Sequence, residues 1–231
     1  MRLLLFSNST NSGEEYLSFT LPFIKGFLGV TRQKGIFIPF AAVTFSFDEY
    51  EQKVAEKFAS IGHKIESIHN QKDMIDSIEK SDLIVVGGGN SFQLLKLMQD
   101  NNLLQVIKSK VESGTPYIGW SAGSNMACPG LYTTNDMPIV EPQNFRSLGL
   151  IDYQINPHYT DFHPEGHAGE TRETRINEFC TANKGVKVLG LPEGTAVKVE
   201  NGKSLLMGAK PAYIFSYNQE KQMVKPGDFV F

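Results

Sequence analysis

Five short apolar runs, at residues 2–6, 35–40, 64–68, 83–86 and 117–120, recur through the first half of the chain and are separated by segments with helical periodicity. Strands that are apolar throughout must be covered on both faces, and a strand followed each time by a helix is the pattern of a parallel sheet. The best-marked helix begins at Ser46. Glu49 three residues on completes a capping box, and Phe47, Tyr50, Val54 and Phe58 fall on one stripe, read as core rather than as a binding surface. In such a sheet, ligands gather at the carboxyl ends of the strands.

After Gly149 the texture changes. Runs at 150–156, 186–191, 195–200, 204–207 and 212–217 read as strands, with Asn201-Gly202 as a hairpin turn and the last three runs antiparallel. One helix interrupts them near 169–182 and directs Ile176 and Phe179 at the sheet. No linker, repeat or low-complexity segment divides the sequence. The expected architecture is therefore one α/β domain over residues 1–231, a mostly parallel sheet with helices on both faces and antiparallel strands at its C-terminal edge.

Composition narrows the function. A net charge of −3 and the lack of any dense Lys/Arg run argue against a nucleic-acid partner. No apolar stretch approaches the roughly 20 residues that cross a bilayer, which argues against a membrane partner. The N-terminal Met1-Arg2-Leu3-Leu4-Leu5-Phe6 is too short for a secretory signal and reads as a buried strand. Two cysteines, Cys128 and Cys180, are too few for a disulfide framework; they suit a reduced, cytoplasmic protein and read as core filler.

The sharpest local feature is Gly119-Trp120-Ser121-Ala122-Gly123, between the run at 117–120 and a helix-compatible segment at 124–128. A G-x-S-x-G between strand and helix holds serine on a tight turn as a nucleophile, the glycines leaving room where a Cβ would clash. The plainer reading is a serine N-cap after a glycine turn. A second cluster, Gly87-Gly88-Gly89-Asn90-Ser91, also follows a strand. Acyl transfer needs two N–H donors for the developing oxyanion, and Ala122 with Gly88 or Gly89 can supply them. A phosphate-binding loop fits poorly, because G-x-G-x-x-G spacing and a Walker lysine are both missing.

A serine nucleophile needs a base. His158, in Asn156-Pro157-His158-Tyr159, stands at a strand end, whereas His63 and His69 read as ordinary surface or core residues. His158, His163 and His167 with Asp161 and Glu165 also raise a metal site, but the spacing does not match H-E-x-x-H, and no metal or other cofactor is expected. The third member must be a carboxylate that orients the imidazole. Asp136, in Thr133-Thr134-Asn135-Asp136, and Glu193, in Leu191-Pro192-Glu193-Gly194, both qualify, and sequence order does not choose between them.

These residues resemble the peptidase E family of aspartyl dipeptidases, whose relatives include cyanophycinases and whose fold is similar to class I glutamine amidotransferases. The likeness runs nearly end to end, through Ser7-Asn8-Ser9-Thr10, Phe37-Ile38-Pro39-Phe40-Ala41, Gly119 to Asn125, Thr133 to Val140, Asn156-Pro157-His158, Gly169-Glu170-Thr171-Arg172 and Leu191-Pro192-Glu193-Gly194. It implies a serine hydrolase that cleaves dipeptides with an N-terminal aspartate through an acyl-enzyme on Ser121, with His158 as base and either Asp136 or Glu193 completing the triad. Ser124 stands where the family often has alanine.

A fixed cation is needed to select a substrate carboxylate. Arg172 is the first choice, with Arg175 on the same helical face behind it, and Asn90 is placed with Arg172 in substrate binding. The expected partner is a small peptide, and a homodimer is left open. A cyanophycinase-like or other small amide hydrolase with the same triad is the enzymatic alternative; a binding module that kept the elbow as a packed turn is the other.

Overall fold

The computed structural model describes residues 1–166 and 168–231. The sequence-based metal reading at His167 lies outside the described residues. The elements in chain order are β1 (Arg2–Phe6), α1 (Leu21–Leu28), β2 (Lys34–Ile38), α2 (Phe47–Ser60), β3 (Lys64–Ser67), α3 (Met74–Glu79), β4 (Leu83–Val86), α4 (Ser91–Asp100), α5 (Leu103–Glu112), β5 (Tyr117–Trp120) and α6 (Ala122–Ala127). They continue with β6 (Gln154–Pro157), α7 (Arg172–Ala182), β7 (Val188–Leu191), β8 (Thr195–Glu200), β9 (Lys203–Gly208), β10 (Ala212–Phe215) and β11 (Gln222–Val224).

The main sheet has the order β3-β2-β4-β5-β1-β8-β9. β3, β2, β4, β5 and β1 run parallel, while β8 and β9 add antiparallel at one edge. Alternate residues of each strand feed two cores. Leu3, Leu5, Ile36, Ile38, Ile84 and Val86 face one side, against Leu94, Leu95 and Met98 of α4 and Ile107 and Val111 of α5. Leu4, Phe6, Phe37, Leu83 and Val85 face the other, against Ile24 and Phe27 of α1 and Val54 and Phe58 of α2. Each such side chain contributes about 1.5–3 kcal/mol on leaving water, which is why strands this apolar settle only between two helical layers. The capping box at the start of α2 forms as the sequence predicts, with Ser46 and Glu49 each bonded to the other's backbone N–H.

The C-terminal strands depart from the single edge expected. β6, β7, β10 and β11 form a separate sheet in the order β11-β10-β7-β6, in which β6 and β7 are parallel. β8 and β9 do pair across the Asn201-Gly202 turn, both of whose residues have positive φ (52° and 73°), but β10 leaves them to pair with β7 and β11. Ile155, Leu189, Leu191, Ala212 and Ile214 of this second sheet join the same core as α4 and α5. Two boundaries also move for local reasons. β2 stops before Pro39, which has no N–H for the ladder. The segment 149–151 lies outside β6 because its N–H groups bond to the carbonyls of Ala127 and Cys128 at the end of α6. Among the described residues no helix is long and apolar enough to cross a membrane.

Candidate functional site

β5 delivers its last residue, Trp120, onto a turn whose next residue, Ser121, has φ 52° and ψ −112°. Such a conformation costs a non-glycine residue roughly 1–3 kcal/mol and persists only where its surroundings fix it. The surroundings here are explicit. Ser121 N–H donates to Phe6 O at 3.0 Å, and Ser121 O accepts from Ser124 N–H at 2.9 Å. The flanking glycines have no alternative: a Cβ on Gly119 would stand 2.5 Å from Gly123 O, and one on Gly123 would stand 2.2 Å from Val86 O. The Ser124 hydroxyl is buried 2.7 Å from Phe6 O and 3.1 Å from Gly119 O, so it ties β1 to the elbow.

The second sheet supplies what faces Ser121. Because β6 and β7 are parallel with Pro157 opposite Leu191, the residues just beyond their carboxyl ends, His158 and Glu193, emerge side by side. His158 Nε2 lies 2.8 Å from Ser121 Oγ, and His158 Nδ1 lies 2.8 Å from Glu193 Oε1. The imidazole is held from its backbone as well. His158, at φ 54°, donates its N–H to Ser7 Oγ at 2.8 Å, and Ser7 Oγ donates to Leu191 O at 2.7 Å. Asn8 Oδ1 accepts from Gly194 N–H at 2.9 Å and fixes the turn carrying Glu193. Ser7 and Asn8 thus connect the end of β1 to both strands of the second sheet. Sequence reasoning gave them no role, although their place at a strand's carboxyl end was the available signal.

The other carboxylate is engaged elsewhere. Asp136 Oδ2 accepts from Ser91 N–H at 2.7 Å and lies 3.2 Å from Thr134 Oγ1, so it closes the start of α4 while one edge faces the cleft. Asn90 is a helix cap: its Oδ1 accepts from the N–H groups of Phe92 and Gln93, its Nδ2 donates to Met137 O, and it does not line the cleft. Arg172 opens α7 and donates to Asn135 Oδ1, one residue back from Asp136, rather than lining the cleft itself. Burial lowers its guanidinium from its ordinary value, though an arginine keeps its charge in a protein. Arg175 is exposed and paired with Glu170 and Glu178.

Gly88 sits against the nucleophile, and a Cβ there would meet Trp120 Cδ1 at 2.9 Å and Ser121 Cβ at 3.2 Å. Gly89 has φ 133°, and a Cβ on it would lie 2.2 Å from Ala41 O. Both positions therefore require glycine. The loop is pinned by Tyr50, whose hydroxyl donates to Gly88 O at 2.9 Å and accepts from Trp120 Nε1 at 3.1 Å. Tyr50 was expected to be core alone; it is buried, but it also reaches the cleft. Ala122, first residue of α6, has an N–H with no intrahelical acceptor. These groups border a cleft of about 650 Å³, in which Phe45, Tyr50, Tyr16 and Lys53 form the wall contributed by α2 and the loops beside it.

Neither buried cysteine is placed for chemistry. Burial pushes the Cys128 thiol up to about 12, and its sulfur accepts from Ile155 N–H. Of the histidines first considered for a metal, His158 has both ring nitrogens on Ser121 and Glu193, and His163 Nε2 lies 2.9 Å from Gly169 O. Asp48, Glu51 and His69 also converge, but Asn70 bonds both carboxylates, His69 bonds Asp48, and Ser67 N–H bonds Glu51.

A solved peptidase from an acI-B1 Actinobacterium is similar in fold, with a TM-score of 0.72 at 18% identity over 99% of this chain and 96% of that one. Peptidase E of Nostoc sp. is 49% identical over 227 residues, 98% of this chain and 94% of that protein. Peptidase E of Salmonella newport is 47% identical, over 98% and 99% of the two chains. The model of peptidase family S51 matches residues 3–207, from β1 through β9, and the chain belongs to that family.

Proposed function

We propose that this chain is a serine dipeptidase that removes aspartate from the N-terminus of dipeptides, and that residues 1–231 form one hydrolytic domain similar in fold to class I glutamine amidotransferases. The observation that carries the reading is the unbroken chain Ser121 Oγ, His158 Nε2, His158 Nδ1, Glu193 Oε1, with 2.8 Å at each link. In this account Ser121 Oγ attacks the scissile carbonyl carbon as its proton passes to His158 Nε2, while Glu193 holds the Nδ1 proton and stabilises the imidazolium. The N–H groups of Ala122 and of Gly88 or Gly89 receive the oxyanion. His158 then protonates the leaving amine, and the second amino acid departs. Water, deprotonated by His158, attacks the ester on Ser121 and releases aspartate.

Arg172 is assigned to the aspartate side chain through the guanidinium nitrogens left over from Asn135, and Asn90 to the loop that frames it. Free buried thiols at Cys128 and Cys180 suit a cytoplasmic protein. The exposed aromatic pair Tyr132 and Phe145 is consistent with a homodimer. The test of function is a substrate panel of Asp-Leu, Asn-Leu, Glu-Leu and Ala-Leu. Asp-Leu should be cleaved at least about tenfold faster than the others. Comparable rates on Ala-Leu would refute the aspartate selectivity.

A further inference from the structure

The cleft is charged unevenly. Its acidic lining groups are Asp136, in the loop between α6 and β6 that closes the start of α4, and Glu193, in the turn after β7 beside His158. Lys53 of α2 is the lone Lys or Arg among the described residues that line it. Its ammonium makes no hydrogen bond or ion pair among the described residues; it stands 5.3 Å from the Phe45 ring centroid and acts on Glu49, a turn back, only through space. An unpaired cation held over an aromatic ring at the rim of a cleft is free to take a ligand's anion.

Its neighbours add an apolar wall. Tyr50 lies one turn before Lys53 on the same face of α2, packs edge-on against Phe45 at 5.1 Å, and bonds the Gly88 carbonyl beside Ser121. The Tyr16 hydroxyl is buried beside Tyr50 and Trp120, behind the surface that the cleft presents.

We propose that Lys53 receives the C-terminal carboxylate of the dipeptide, on the leaving-group side of Ser121, with Phe45 and Tyr50 as the wall for the second residue's side chain. The proposal rests on the dipeptidase reading above but not on aspartate as the first residue. It makes the cleft complementary to a zwitterion: carboxylate toward α2, ammonium toward the lining carboxylates Asp136 and Glu193. A peptide extended past its second residue puts an amide where Lys53 expects an anion, so the same contact limits substrate length.

The test compares Asp-Leu with Asp-Leu amide, which differ only in the C-terminal charge. Wild type should favour the acid by about tenfold in kcat/KM, the low end for a charge-assisted contact because Lys53 is exposed and screened, and the preference should shrink as salt rises. In Lys53→Met the acid-to-amide ratio should fall to near one, mostly through KM, and Lys53→Arg should restore most of it. The ratio is internal to each variant and does not depend on how much of it folds. A wild-type ratio near one, or a ratio unchanged in Lys53→Met, would overturn the proposal. If wild type prefers another N-terminal residue, the pair is measured with that residue. A retained acid preference then sinks only the aspartate reading, whereas failure to cleave any dipeptide sinks both.

Discussion

Replacing Glu193 by Gln keeps the size of the group that meets His158 Nδ1 but removes its charge and, in one amide orientation, turns an acceptor into a donor. The 2.8 Å bond is charge-assisted, worth about 1.5–3 kcal/mol when the imidazolium forms, which alone predicts a loss of roughly 10- to 100-fold in kcat. Loss of the correct tautomer adds to this. The upper reference is about 10⁴, seen where the third carboxylate is buried. Glu193 is half-exposed, with 51% of its side chain open to water that can partly replace it, so the expected loss lies between, at about 10²–10³. Asp136→Asn should behave otherwise. Its partner is Ser91 N–H, which an amide oxygen can still satisfy, so the change should cost about 1 kcal/mol of stability and leave kcat within a few-fold of wild type. Steady-state kinetics on Asp-Leu, with urea unfolding to confirm that each variant is folded, gives both numbers. A near-normal kcat for Glu193→Gln together with a collapsed one for Asp136→Asn would refute the assignment.

Tyr50→Phe leaves Trp120 Nε1–H and the Gly88 carbonyl without their shared partner, and should lower stability by about 1–3 kcal/mol in urea unfolding and reduce kcat through the loosened loop beside Ser121. His63 is buried, and burial holds its imidazole below the ordinary 6.5. The unfolded chain therefore takes up a proton at a higher pH than the folded one, so stability should be flat above about 6.5 and fall as pH drops from there toward the lowered folded value. His63→Gln, which can still accept from Gln33 N–H, should flatten that part of the urea-midpoint profile; an unchanged slope would exonerate His63.

How much of this was legible beforehand divides along physical lines. The parallel half was, because an all-apolar strand such as Leu83–Val86 has one stable environment and a capping box such as Ser46 with Glu49 marks a helix start by local chemistry alone. The second sheet was not. Whether the run at 212–217 pairs with β9 or with β7 depends on contacts between distant segments, and a three-residue strand such as β11 carries no pattern to read. At the site, Ser121 and His158 stood out through residue type and strand-end position, and both glycines of the loop through their cluster. Asp136 and Glu193 both stayed open on paper, with only a place just past a strand end slightly favouring Glu193; the parallel register of β6 with β7 is what brings Glu193 to the imidazole. Tyr50 escaped because a helical stripe reads as core whichever of its residues also reaches a cleft, and Lys53 because a charged residue beside such a stripe reads as solvated surface. Asn90 and Arg172 were both given to substrate, and each also has polar atoms bonded to protein partners, the cap of α4 and Asn135.

The central claim is that Ser121 is the nucleophile activated by His158, and the most direct measurement is peptide-mapped mass spectrometry of the protein after reaction with a fluorophosphonate. An activated serine forms a covalent adduct with such a probe and an ordinary hydroxyl does not. One adduct is expected, on the peptide containing Ser121, appearing in step with loss of Asp-Leu hydrolysis, absent from Ser121→Ala and slower to form in Glu193→Gln. An adduct on another residue, or full hydrolysis of Asp-Leu by folded Ser121→Ala, would contradict it.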